Sequence, residues 1–251
     1  EGAFLGISPN ITAHAGCEGT APGSLSSVYD GIRLRADFVE VDVRRTRSGE
    51  LVLSHDKPSE EDSCVRLFQV LELVKGFRAV GVNCDIKEED ILRDVLDLAE
   101  RTGLRYEQIV ISGSVTPAAL KSDPSIVKRA NVLLNIEEAL KALCMSRLQS
   151  DAPDIAALPP WEAVRRYIPD PSDYFDDLVD TCLSCHVRAV NVPYRPPISG
   201  FLPRFRAAGL PVSVWTVDDP EEIKAVLREG VYNITTRRVR LALEARKNHP
   251  G

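Results

Sequence analysis

Apolar positions along the chain follow two alternating periods, one typical of strands and one typical of helices. Short β-branched runs such as residues 109–112 predict strands, whereas segments such as residues 89–102, whose apolar positions recur every three or four residues, predict helices. Eight strands are predicted, each followed by a helix. They begin near Ile11, Phe38, Val80, Ile109, Val132, Ala189, Val212 and Tyr232.

Eight strand–helix units within 251 residues predict an α/β fold, a TIM (β/α)8 barrel with parallel strands. An open doubly wound sheet also fits the alternation, but the glycine-rich phosphate-binding fingerprint that often opens such a sheet is missing. We expect a single domain over residues 1–251. Prolines crowd residues 150–173, and we interpret this stretch as an excursion from the barrel because the alternation resumes after it.

Two acids share one face of the second predicted strand. Glu40 and Asp42 are two positions apart, so their side chains point the same way, roughly 7 Å from one another. Neighbouring carboxylates repel each other and lose solvation, and a hard divalent cation with oxygen ligands is the natural compensation. Taken alone, the strand also fits a solvated edge with two surface acids. His55 ends a second short apolar run, from which a loop can bring it to the same place.

In a barrel, residues from distant strands converge, because the carboxyl ends of all eight strands meet at one mouth. His14 follows the first strand, and Trp215 lies late in the seventh. Asp85 and Lys87 end the third strand, two positions apart and therefore on one face. Three carboxylates, two histidines and a lysine are thus expected at the mouth: Glu40, Asp42, Asp85, His14, His55 and Lys87.

The net charge and the composition limit the classes of binding partner that we expect. The net charge of −6 argues against nucleic acid and against an anionic membrane surface, although a metal and a few local cations still allow an anionic small-molecule substrate. No apolar run approaches the length of a membrane-spanning helix, so stable membrane insertion is not expected. Six cysteines in so long a chain do not require a disulfide framework, and free thiols in a cytoplasmic protein are expected, or a secreted protein if a leader has been removed.

Two further signals have ordinary interpretations. The sequence Cys182-Leu183-Ser184-Cys185-His186 matches the C-x-x-C-H haem-attachment pattern, but no other cytochrome feature accompanies it. We therefore interpret these cysteines as packed at a helix end. The cluster of Arg44, Arg45 and Arg47 predicts a solvated loop, with phosphate steering as the alternative.

Motifs spread over the whole chain resemble the glycerophosphodiester phosphodiesterase family, in the superfamily of phosphatidylinositol-phospholipase-C-like phosphodiesterases. The resemblance keeps the order of the family's motifs and their positions on the barrel. The matching segments are His14-Ala15-Gly16, Glu40-x-Asp42, His55-Asp56, Asn83-Cys84-Asp85-Ile86-Lys87, Val214-Trp215-Thr216-Val217 and Gly230-Val231-Tyr232-Asn233-Ile234-Thr235-Thr236.

The resemblance implies a metal-dependent hydrolase of lipid metabolism that cleaves glycerophosphodiesters, or related lysophospholipid head groups, to glycerol phosphate and an alcohol. It implies a divalent cation, magnesium or calcium, held by Glu40, Asp42 and Asp85. It implies that His14 and His55 form the acid–base pair. It also implies that Lys87 offsets phosphate charge and that Trp215 faces the substrate. Cleavage of a phosphodiester requires that negative charge on the phosphate be neutralised, that a proton be taken from the nucleophile and that a proton be given to the leaving alkoxide. Histidine can perform either proton transfer.

The sequence departs from the family at four places. Ala15 stands where Arg is usual, so one phosphate contact is absent or comes from Arg44 or Arg195. Residues 22–25 lack an acid that the family has, and Asp85 replaces a longer Glu. The link after His55, residues 57–66, is short where many members carry an insertion.

Two other functions remain open at this stage. One is a non-catalytic barrel that binds a phosphorylated ligand. Ala15 and the acid missing from residues 22–25 favour this function. The retained His14 and His55 argue against it, since a pure binding protein needs no proton-transfer pair. The other is a phospholipase-D-like enzyme that forms a cyclic phosphate, although the chain has no obvious apolar loop for docking to a membrane. The oligomeric state is not predicted.

Overall fold

The computed structural model describes residues 8–59, 63–148, 154–196 and 198–248. Eight parallel strands form a sheet that closes on itself, because the first barrel strand pairs with both the second and the last. The predicted TIM barrel is therefore confirmed. The barrel strands are β1 (Asn10–Ala13), β2 (Phe38–Arg45), β4 (Gly81–Ile86), β5 (Ile109–Gly113), β6 (Asn131–Asn135), β7 (Ala189–Pro193), β8 (Val212–Trp215) and β9 (Asn233–Thr236).

Helices lie between the strands and cover the outside of the barrel. They are α1 (Leu25–Arg33), α2 (Leu67–Lys75), α3 (Leu92–Thr102), α4 (Pro117–Ser122), α5 (Ile126–Arg129), α6 (Ile136–Leu148), α7 (Pro160–Tyr167), α8 (Phe175–Ser184), α9 (Leu202–Ala207), α10 (Pro220–Arg228) and α11 (Val239–Lys247). Helices α1 and α4 begin at side-chain caps. The side chain of Ser24 accepts from the backbone N–H of Ser27 at the start of α1, and Thr116 caps α4, with Pro117 at its first position.

Successive side chains along each strand point alternately outward and inward, so the barrel has one apolar core outside the sheet and another inside it. Outward-facing residues such as Val39, Val41 and Val43 pack beneath the helices in the main core. Val110, Leu133 and Ala189 form a second, smaller buried cluster. Each of these three lies two positions before a polar residue at the barrel mouth, so the small cluster forms an apolar floor beneath the polar site.

One strand lies outside the barrel and positions the loop that follows it. Strand β3 (Leu51–Leu53) pairs antiparallel with the end of β2, with Val43 opposite Leu53. The sequence pattern treated Arg44 and Arg45 as part of a solvated loop, and this was wrong: they belong to β2, because pairing with β3 extends that strand beyond the barrel. His55 follows β3 directly, so this hairpin sets where the histidine lies.

The described part of the proline-rich stretch lies between α6 and α8 and contributes no barrel strand. From residue 154 onward it contains two short 3-10 turns, Ile155–Ala157 and Pro171–Tyr174, on either side of α7. Its residues 150–153 lie outside the described residues. The pattern did not anticipate α5, a helix of four residues. A single domain over the whole of residues 1–251 stays a prediction, whereas the described residues form one barrel. Among those residues, none of the helices combines the length and apolarity needed to span a bilayer.

Candidate active site

Three carboxylates meet at the barrel mouth, where the sequence predicted them. Strands β2 and β4 pair in parallel with Asp42 opposite Asp85, and Glu40 lies two residues earlier on the same face of β2. One oxygen from each of Glu40, Asp42 and Asp85 lies within 4.8 Å of the others. The set consists only of hard oxygen donors on rigid strands. These donors fit a divalent cation such as Mg²⁺ or Ca²⁺.

Burial and mutual repulsion oppose ionisation of this triad. Burial raises the pKa of Glu40 well above its usual range, and the charges of Asp42 and Asp85 raise it further. Burial also raises the pKa of Asp85, although the ammonium of Lys87 partly opposes it. The charge of a bound cation would offset both pKa increases, so the electrostatics of the site favour metal binding.

Lys87 lies against two of the three carboxylates. Its Nζ atom lies 2.7 Å from Oδ1 of Asp42 and 2.5 Å from Oδ2 of Asp85. Burial lowers the pKa of Lys87, but the two carboxylates outweigh it, and the net pKa lies above the usual range. Lys87 is therefore a permanent positive charge at the mouth.

His14 lies beside the triad. Its Nδ1 atom is 3.9 Å from Oε2 of Glu40 and 2.9 Å from the carbonyl oxygen of Ala15. Because a carbonyl only accepts, that contact places the ring hydrogen on Nδ1, and Nε2 is left to accept a proton. The backbone N–H of Ala15 donates to Oε2 of Glu40 at 2.8 Å, which ties the His14 segment to the triad.

His55 lies apart from this cluster. Its side chain is 75% exposed, and its Nδ1 atom lies 3.1 Å from Oδ1 of Asp56. It does not line the mouth pocket, which His14 does. Arg44 anchors the His55 segment: Nε donates to the carbonyl oxygen of His55 at 2.9 Å, and Nη1 donates to Oε1 of Glu88 at 3.1 Å. Two nitrogens of the Arg44 guanidinium thus bind acceptors within the protein.

Two residues of β5 complete the support of Asp85. The hydroxyl of Ser112 lies 3.1 Å from Oδ1 of Asp85. Gly113 has a φ of 88°, and a Cβ atom there would lie 2.2 Å from the carbonyl oxygen of Ile86 and 2.4 Å from Oδ1 of Asp85. Glycine is therefore required at this position for the carboxylate to keep its place.

The opposite wall of the mouth carries residues that the sequence reading missed. A pocket of about 300 Å³ joins His14, Glu40, Asp85 and Lys87 to this wall. Trp215 lines it, together with Asn135, Glu137, Glu138, Trp161 and Asn191. The available signal was that Asn135 and Asn191 are polar residues that directly follow apolar ones in barrel strands, whose carboxyl ends carry the site.

Glu137 and Glu138 are unusual acids because both are buried. Glu137 is 7% exposed and Glu138 is 9% exposed. Burial raises the pKa of each to about 7, a rise that Asn135 opposes at Glu137 and Lys141 opposes at Glu138. Arg195 stacks over Trp161, with its guanidinium carbon 5.6 Å from the ring centroid. A cation thus lies near the rim of this wall.

The cysteines take no part in the site. Cys17, Cys84, Cys144, Cys182 and Cys185 are buried and form no disulfide. Cys182 and Cys185 lie at the end of α8, and burial raises the pKa of both thiols. The interpretation of the C-x-x-C-H segment as two cysteines packed at a helix end therefore agrees with the structure.

Comparison with known proteins now decides the family. The model of the glycerophosphoryl diester phosphodiesterase family matches residues 14–241. The chain belongs to this family. It is therefore a hydrolase of phosphodiesters, as the motifs implied. Among curated relatives, the glycerophosphodiester phosphodiesterase GDPD4 of Arabidopsis thaliana is 28% identical over 246 residues, which cover 91% of this chain and 70% of the relative.

Solved structures support the fold. A glycerophosphodiester phosphodiesterase from Parabacteroides distasonis superposes with a TM-score of 0.65 at 18% identity, covering 96% of each chain. A phosphodiesterase from Oleispira antarctica, in complex with the product sn-glycerol-3-phosphate, gives a TM-score of 0.66 at 14% identity, covering 94% of this chain and 96% of that one. At such identities the likeness concerns the barrel.

Proposed function

We propose that this member of the family hydrolyses glycerophosphodiesters to glycerol phosphate and an alcohol, with magnesium or calcium held by Glu40, Asp42 and Asp85. The observation that carries the proposal is that His14 lines the same pocket as Glu40 and Asp85, with its Nδ1 atom 3.9 Å from Glu40. A proton acceptor, a cation site and a permanent ammonium thereby surround one cavity. The family match and the product complex of the Oleispira antarctica relative agree with this substrate class.

Each group has a defined task. A divalent cation, when bound, supplies positive charge that stabilises the non-bridging phosphate oxygens. Lys87 adds a second positive charge beside Asp42 and Asp85. Nε2 of His14 is the free nitrogen at the pocket and takes or gives a proton there. His55 performs the opposite transfer, and Arg44 holds its segment in place.

The test measures hydrolysis of glycerophosphocholine, glycerophosphoethanolamine, a lysophospholipid and bis(p-nitrophenyl) phosphate, first in EDTA and then with Mg²⁺, Ca²⁺ or Mn²⁺ restored. We expect metal-dependent turnover that falls by roughly a hundredfold or more in His14→Ala and in His55→Ala. His186→Ala is the matched control, because His186 is an exposed histidine away from the pocket. Full activity in both active-site variants would contradict the acid–base assignment.

A non-catalytic phosphate-binding barrel is the second candidate. The exposure of His55 and its position outside the pocket favour it. Metal and glycerol 3-phosphate binding without turnover on any of the four diesters would support this candidate. If turnover occurs, phosphorus NMR of the product separates a linear phosphate from the cyclic phosphate of a phospholipase-D-like reaction.

A further inference from the structure

Three buried side-chain polar atoms have no hydrogen-bond partner within the described residues, and all three belong to residues that line the mouth pocket. They are Oε2 of Glu137, Oδ1 of Asn191 and Nε1 of Trp215. Glu137 and Asn191 are each only 7% exposed. Buried polar atoms without partners are rare in folded proteins and costly. Their concentration in one cavity points to a ligand that supplies the missing partners.

A chain of hydrogen bonds fixes how these atoms are oriented. Nδ2 of Asn135 donates to Oε1 of Glu137 at 3.0 Å, and Nδ2 of Asn191 donates to Oδ1 of Asn135 at 2.8 Å. When Glu137 is ionised, above its pKa of about 7, its carboxylate only accepts, so Asn135 then presents its NH₂ group to Glu137 and its oxygen to Asn191. Asn191 must then present its own NH₂ group to Asn135. Its oxygen is left without a partner, as is the second oxygen of Glu137.

The open positions are therefore two acceptors and one donor. A pair of alcohol hydroxyls matches this set, since two O–H groups can donate to Glu137 and Asn191 while an oxygen lone pair accepts from the indole N–H of Trp215. A trimethylammonium group has no N–H and would leave both acceptors unpaired. An anionic group would be repelled by Glu137.

We infer that Glu137, Asn191 and Trp215 form a subsite that hydrogen-bonds the free hydroxyls of the substrate's hydroxylated arm. This subsite would determine specificity for substrates that carry those hydroxyls. Strands β7 and β8, which carry Asn191 and Trp215, lie across the barrel from β2 and β4, which carry the carboxylate triad. A diester whose phosphate lies at the triad thus extends its hydroxylated arm toward this wall. The inference rests on the proposed function, since it assigns the phosphate to the triad.

The test compares two ligands that differ only in these hydroxyls. Glycerol 3-phosphate and propyl phosphate are titrated calorimetrically into the protein in the presence of Mg²⁺. Because the subsite leaves buried acceptors unpaired when the hydroxyls are missing, we expect glycerol 3-phosphate to bind about tenfold or more tightly than propyl phosphate. In Glu137→Gln, an amide NH₂ can take the place of an acceptor oxygen, and we expect the ratio to fall to about threefold or less.

Two variants sharpen the comparison. Glu222→Gln changes an exposed acid on α10 that does not line the pocket, so we expect it to keep the discrimination. Asn191→Leu should reduce the ratio as Glu137→Gln does. Equal affinity of the two ligands for the native protein would overturn the inference, as would an equal loss of discrimination in Glu222→Gln. The two failures are distinguishable: selective binding without hydrolysis refutes the function alone, and hydrolysis without selectivity refutes the subsite alone.

Discussion

Lys87 and Asp42 face each other at the barrel mouth, with Nζ 2.7 Å from Oδ1. Lys87 also reaches Asp85, so one ammonium neutralises part of a triad of buried or half-buried carboxylates. It thereby does in the metal-free protein part of what a divalent cation would do. The stability of the barrel and the occupancy of the metal site are therefore linked through Lys87.

Replacing Lys87 with Met should make the protein depend on metal for its stability. Without the ammonium, the carboxylates lose their compensating charge, and we expect the free energy of unfolding in EDTA to fall by about 2 kcal/mol or more. Added Mg²⁺ or Ca²⁺ should recover much of the loss, as measured by urea unfolding. Lys224→Met is the control, because the pair of Lys224 with Glu221 is exposed and contributes little. Similar losses in both variants would contradict the prediction.

Replacing Glu40 with Gln should separate metal binding from stability. Burial and the neighbouring acids raise the pKa of Glu40, so in the metal-free protein a neutral amide is no worse than the carboxyl group it replaces. We expect an unchanged or higher melting temperature in EDTA, together with a loss of metal affinity of roughly a hundredfold.

Calorimetric titration of the metal and a thermal melt measure the two quantities on one sample. Glu244→Gln, an exposed acid on α11, is the control for the substitution itself. A lower melting temperature in EDTA would show that Glu40 stabilises the fold as an anion and would contradict the argument.

The sequence was sufficient to predict the barrel and the triad because both depend on simple periods. The spacing of two between Glu40 and Asp42, and the barrel rule that sites lie at strand ends, placed these acids and Asp85 together without further information. Glu137 was missed for a physical reason. Acids are common in the first turn of a helix, and the neighbouring residues in the sequence do not indicate that the Glu137 side chain is buried in the pocket.

Contacts between segments remote in the chain were also beyond sequence patterns. The exposure of His55 and its link to Arg44 depend on how β3 pairs with β2. The orientation of Asn191 depends on two hydrogen bonds that reach Glu137 through Asn135. Such features follow from tertiary packing, which periodicity does not encode.

Replacing Arg44 with Leu should reduce turnover without abolishing metal binding. Arg44 ties the carbonyl of His55 to Glu88, and loss of this tie would release the segment of the histidine to which we assign the second proton transfer. We expect kcat to fall about tenfold, since small displacements of a proton-transfer group are costly, with metal affinity nearly unchanged. Arg45→Leu is the matched control, because Arg45 is the next residue and pairs with Asp90 and Asp94 on the surface. A tenfold effect in both variants, or in neither, would contradict the positioning role.

The buried acid Glu137 should make the metal-free protein less stable as the pH rises. Burial raises its pKa from an ordinary value of 4.5 to about 7, and Glu138 and Asp85 reinforce that rise. Below pH 4.5 the carboxyl group is protonated in both the folded and the unfolded chain. Between pH 4.5 and 7 only the unfolded chain releases the proton, so the folded state loses stability there, by up to about 3 kcal/mol from this group. Above pH 7 the loss is complete and the contribution is constant.

Urea unfolding in EDTA at several pH values measures this loss, and Glu137→Gln should make the decline between pH 4.5 and 7 shallower because the amide does not titrate. Some decline should remain, since the pKa values of Glu138 and Glu40 are also raised. Glu222→Gln, an exposed acid on α10, should leave the curve as it is. The free energy of unfolding could instead decline equally with pH in the native protein and in Glu137→Gln. The carboxyl group of Glu137 would then ionise in the folded barrel as easily as in the unfolded chain, and its burial would carry no electrostatic cost.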